Sequence, residues 1–187
     1  MDFDQRARAL SQAGIAACIA FAAGVAERAL KEGRRVREDA VRGHPEFGRA
    51  VERLWEQALR GSSTYDRETE VLHAEISRSI PSLLDAARPD PAIEYIARAI
   101  SMGLFVLRHP EEAGKYAANA GGAMINLVGT VYTNSEKVQN AERAWQDQAV
   151  AALQLWQKGP FSRDVFAPIP EYDRGPVAEG YLEGSLE

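Results

Sequence analysis

Along Pro91–Arg108 the polar side chains Glu94, Arg98, Ser101 and Arg108 fall at spacings of 4, 3 and 7, one narrow stripe of a 3.6-residue period. Ile93, Tyr95, Ile96, Ile100, Met102, Leu104, Phe105, Val106 and Leu107 cover the rest of the circumference. Asp90 suits the N-cap, Pro91 fits the first helical position, and Pro110 forbids continuation. A helix apolar over most of its surface is normally enclosed by other helices. This stretch therefore predicts an all-α bundle with the 91–108 helix at its centre.

The same periodicity predicts the remaining elements. An alanine-rich helix runs from Asp4 to about Glu32, with Gly14 and Gly24 as points of close approach. Pro45 opens a helix to Arg60 with Phe47, Val51, Leu54, Trp55 and Ala58 inward, stopped by Gly61. Ser62-Ser63-Thr64 caps a helix over about 65–79 whose inner positions are Val71, Leu72, Ile76 and Ile80, with a short continuation through Leu84 to Ala87. A helix over 111–132 carries the small-residue run Ala117–Ala123. The final one, capped by Thr133 with Glu136 three residues on, repeats Val138, Ala141, Trp145, Ala149, Ala152 and Trp156 along one seam. The expectation is a single-domain bundle of five or six helices over residues 1–159, with Trp145 and Trp156 both buried.

Residues 160–187 change character. They hold four of the nine prolines, and six acids stand against Arg163 and Arg174, a net of −4 within a chain total of −5. Prolines preclude a long helix here. This acidic, non-helical C-terminal segment is read either as a strap whose aromatics dock on the bundle or as a flexible arm. As an arm, Asp164, Glu171 and Asp173 would steer a basic partner, while Phe166, Tyr172 and Tyr181 would anchor it.

Composition excludes more than it assigns. The single cysteine, Cys18, cannot form an internal disulfide, which favours a reducing cytoplasm. It sits on an apolar helix face without a nearby histidine, as a small buried hydrophobe does. The N-terminus lacks the basic-then-apolar pattern of a signal peptide, and the run Ala13–Ala26 is too short to span a bilayer. Net acidity argues against a nucleic-acid surface. The basic cluster Lys31, Arg34, Arg35 and Arg37 lacks interleaved aromatics and reads as a solvated helix end. Glu70-x-x-His73 has the ligand spacing of di-iron bundles but no second copy, so it reads as an exposed polar face and no metal or cofactor is expected. Gly121-Gly122 follows no strand and precedes no Gly-Lys-Ser/Thr, so it is not a phosphate loop.

Phe21-Ala22-Ala23-Gly24-Val25-Ala26-Glu27-Arg28-Ala29-Leu30, the Trp55-Glu56 pair and Ile80-Pro81 together resemble the YjaG-like bacterial helical family of unknown function, over roughly residues 13 to 133. The resemblance implies a small helical bundle without an assigned activity. Two functions remain open. The first is a non-catalytic protein-binding module, for example an antitoxin-like immunity protein covering a toxin or effector with a basic surface, with homodimerisation also open. The alternative is a helical enzyme or small-molecule binder using a polar pocket of Glu94, Arg98, Asn119 and Asn126.

Overall fold

The computed structural model describes residues 1–80, 90–156 and 161–178. Among them are eight α-helices: α1 (Phe3–Ala13), α2 (Ile15–Val36), α3 (Glu38–Arg42), α4 (Pro45–Arg60), α5 (Arg67–Ser77), α6 (Pro91–Arg108), α7 (Ala113–Val131) and α8 (Ser135–Leu155). Single 3₁₀ turns occupy Pro110–Glu112 and Arg163–Phe166, and the described residues contain no strand. The all-α expectation holds, but the count exceeds five or six. Gly14, at φ 96°, breaks the long N-terminal helix into α1 and α2, and a Cβ there would meet nothing within 4 Å. Gly14 is therefore a conformational break in the left-handed region rather than a packing gap. The five-residue α3 supplies a further element.

α6 is enclosed as its pattern predicts. Asp90 accepts a hydrogen bond from the Ala92 amide at 2.9 Å, Pro91 takes the first position, and the helix stops before Pro110. It packs against α2, α4, α5 and α7. α2 shares the centre: 15 of its 22 residues are buried, among α1, α4, α6, α7 and α8. The small residues of α7 allow close approach. A Cβ at Gly114 would lie 2.3 Å from the Ala7 carbonyl oxygen of α1, and one at Gly121 would strike the Gln146 side chain of α8. Cys18 is buried and its thiol donates to the Leu10 carbonyl at 3.3 Å; burial pushes its pKa up to about 12, so it is an inert thiol.

Four details differ from expectation. The buried stripe of α5 is Thr69, Leu72, His73 and Ile76, an i, i+3, i+4, i+7 set that leaves Val71 49% exposed. Its N-cap is Asp66, bonded to the Thr69 amide, rather than Ser62–Thr64. α8 begins at Ser135 without a side-chain cap, because Thr133 is held instead by the Pro176 carbonyl. Trp145 is buried, but Trp156, at the end of its helix, is only half-buried. The continuation through Leu84 to Ala87 lies outside the described residues.

Residues 161–178 form a strap over the bundle. Phe161, Val165 and Ile169 are buried, and Phe166 packs between Trp55 and Trp145 with ring centroids 6.1 and 5.6 Å away. Farther on, the strap runs antiparallel to the end of α7: the Ala178 amide donates to the Val131 carbonyl at 2.9 Å, and the Thr133 amide to that of Pro176 at 3.3 Å.

Candidate functional site

Polar side chains gather in several places among the described residues. The first lies beneath the strap. One turn apart on the same face of α2, Arg28 and Glu32 point toward α8 and the strap. Arg28 Nη2 donates to Glu142 at 3.0 Å and Nη1 to Glu171 at 2.5 Å, while its guanidinium lies 3.9 Å from the centroid of the Trp145 ring. Glu142 is fully buried. It also accepts from the Tyr172 hydroxyl at 2.6 Å and from Gln146 at 3.0 Å, and Gln146 donates in turn to the Gly121 carbonyl. Glu32 accepts from the Tyr132 hydroxyl and pairs with Arg174 at 2.7 Å. Arg174 reaches back to Glu171 at 3.0 Å.

Burial works against the Arg28 charge, yet Glu142 and Glu171 outweigh it and raise its pKa. Burial raises that of Glu32 despite Arg174 and Arg35. It likewise works against ionised Glu171, where Arg28 and Arg174 prevail and lower the pKa. For Tyr172, burial and then Glu142 push the phenol well above its ordinary value. Such a network holds α2, α8 and the strap in register.

The second place is a buried relay. His73 Nε2 lies 2.9 Å from Ser101 Oγ, its Nδ1 lies 3.1 Å from the Tyr65 hydroxyl, and Phe105 meets the imidazole edge-on at 4.4 Å. The expectation of an exposed Glu70/His73 face is corrected here. Glu70 is exposed, but His73 is buried, turned inward by the same rotation of α5 that exposes Val71. Burial, then Arg108 and His109, lower its pKa and keep it neutral. A serine–histidine contact evokes nucleophilic catalysis, but Ser101 is 2% exposed and lies in mid-helix, beyond substrate reach. The relay satisfies two buried polar groups where α5 meets α6.

The third place is open. Tyr95, Arg98 and Met102 of α6 face Asn119, Gly122, Ala123 and Asn126 of α7 across a groove of about 380 Å³. Three of the four residues expected to form a polar pocket line it. The fourth, Glu94, holds Arg98 at its rim through a 2.7 Å ion pair. Neither asparagine side chain hydrogen-bonds among the described residues, and the Gly122 position is open. The same seam continues into a half-buried ladder of Phe105, His109 and Tyr116, with ring centroids 5.2 to 5.8 Å apart.

The tail residues expected to meet a partner fall into two groups. Phe166, Glu171 and Tyr172 engage the protein's own bundle, whereas Asp164 and Asp173 are exposed. Tyr181 lies outside the described residues. Among the described residues no group of three or more histidine, cysteine or acidic side chains is placed to hold a metal ion, and no helix is long and apolar enough to cross a membrane. No family model, curated protein or solved structure matches the chain, so its function must be read from its own side chains.

Proposed function

We propose that this protein is a non-catalytic binding module whose partner is a polypeptide, engaged at the α6–α7 groove. The observation that carries the reading is the pair of unpartnered amides, Asn119 and Asn126, on an open face shared with Tyr95, Arg98 and Met102. Tyrosine, methionine and arginine are the side chains enriched at protein interfaces. Each asparagine offers both a donor and an acceptor, the complement of a peptide main chain. Seven residues along a helix rise about 10 Å, the distance three residues of extended chain cover at about 3.3 Å each. Two such amides can therefore clamp one extended segment at both ends, with Arg98, 44% exposed beyond its pair with Glu94, turning its remaining donors to an acidic side chain on it.

Selection of a displayed random-peptide library on the immobilised full chain tests this. Enriched peptides should lose at least ten-fold in affinity against Asn119→Ala/Asn126→Ala, and enrichment insensitive to that pair of substitutions would refute the site. A small acidic ligand would also suit Arg98 and the two amides. Native mass spectrometry showing a stoichiometric low-mass molecule, lost with Arg98→Ala, would favour that second reading.

A further inference from the structure

The strap and the surface it covers have separate charge balances. Without the strap, Arg28 would keep Glu142 and its stack on Trp145, Glu142 would keep Gln146, and Glu32 would keep the Tyr132 hydroxyl with Arg35 nearby. On the strap, Glu171 and Arg174 already pair with each other, three residues apart. Removing one partner of a buried ion pair is costly because a charge is left uncompensated. Here Arg28 and Glu142 keep each other, and only Glu32 gives up its ion pair, retaining the Tyr132 hydroxyl as donor. What the strap surrenders is the ionic bonds Arg28–Glu171, Glu32–Arg174 and Glu52–Arg163, the Tyr172–Glu142 hydrogen bond, two backbone hydrogen bonds, and the seats of four apolar side chains. The covered surface is shaped for them. Gly24 leaves a slot between Trp55 and Trp145 that the Phe166 ring fills, 2.3 Å from where a Cβ would stand.

We propose that the surface beneath the strap is a peptide-binding groove, held closed in the free protein by residues 161–178 and open to a partner segment of the same chemistry. That chemistry is an aromatic residue, an aliphatic one three positions on, then an acid, a tyrosine and a basic residue, as in Phe166, Ile169, Glu171, Tyr172 and Arg174. The occupant competes with the strap for one site, so affinity in trans reports the strength of closure in cis. This site is distinct from the α6–α7 groove and does not depend on it.

Two measurements on the full chain test the proposal. In native-state hydrogen exchange, the Thr133 and Ala178 amides should exchange at least 100-fold faster than the central amides of α2 and α6, through an opening that leaves those helices protected. Equal rates would mean that strap and bundle open only together, and would overturn it. In the second, a fluorescent peptide of residues 161–178 is titrated into the unaltered chain and into Arg174→Glu, which weakens only the resident strap. The variant should bind at least ten-fold more tightly, and Phe166→Ala in the peptide should abolish binding to both. Equal affinity for the two chains, or binding indifferent to Phe166, would refute competition for the groove. Should Arg174→Glu fail to fold, the exchange rates of the unaltered chain decide the matter.

Discussion

Substituting Gly24 by alanine separates two effects that normally arrive together. In mid-helix the change is worth about 1 kcal/mol of stability from propensity alone. Against it stands the Phe166 ring, whose Cε2 and Cδ2 would lie 2.3 and 2.9 Å from the new methyl. Those distances are far inside van der Waals contact, and the ring cannot simply slide aside because indoles flank it on both sides. Overpacking of this kind costs about 1–3 kcal/mol. Gly24→Ala in the native chain should therefore range from neutral to about 2 kcal/mol destabilising. In a Phe166→Ala background the clash is gone, and the same substitution should stabilise by about 1 kcal/mol. Urea denaturation of the four proteins closes the cycle, with a coupling of about 1–3 kcal/mol. A coupling near zero, with Gly24→Ala equally stabilising in both backgrounds, would show that Phe166 does not rest on Gly24 and would remove the strap's principal anchor.

Trp145→Ala should cost about 3–5 kcal/mol, the range for a truncated core aromatic, because it also unseats Arg28 and Phe166; an unchanged melting temperature would place α8 at the periphery. His73 is held neutral by burial, so its folded pKa lies below its unfolded value of about 6.5. Its contribution to stability is full above that value and is lost as pH falls toward the folded pKa. Unfolding free energy measured from pH 8 to 5 should decline with a component that His73→Gln removes, and identical slopes would refute the assignment. Gly114→Val should destabilise by at least about 1–3 kcal/mol, since the new side chain meets the Ala7 carbonyl of the α1 backbone as well as the Ser11 hydroxyl, and the backbone cannot step aside; a stable variant would mean that α1 docks elsewhere.

Much of this fold is written in local pattern. The Asp90-Pro91 start and Pro110 stop of α6 reappear in the structure because each depends on neighbours within a few residues, whereas Tyr95, Met102 and Phe105, which its pattern also turns inward, are only half-buried. The α6–α7 groove was half legible, since the polar stripe of α6 and the seven-residue spacing of Asn119 and Asn126 mark faces, though not that those faces adjoin. Elsewhere local signals competed. Both Val71 and His73 are plausible inward residues on α5, and the available partners, Ser101 and Tyr65, decide for His73. Thr133 has the spacing of a capping box, but a strap arriving 43 residues later takes its hydrogen bonds. The network beneath the strap had almost no local signature. Arg28 falls by spacing on the apolar face of its helix, but Glu142, its partner 114 residues on, reads as an ordinary surface charge.

The burial of α2 from every side bears on how the chain is made. Its last residue is Val36, whereas α7, one of the walls that enclose it, ends at Val131, 95 residues later. At synthesis rates of about 5–20 residues per second, the ribosome takes roughly 5–20 s to deliver that wall. Throughout that interval a helix carrying Ile19, Phe21, Val25 and Leu30 has no finished core to enter. The alanines between them temper the hazard, because they hold helical shape while offering little apolar area to other nascent chains. A substitution that enlarges those alanines would first be felt at the ribosome, as lost soluble yield.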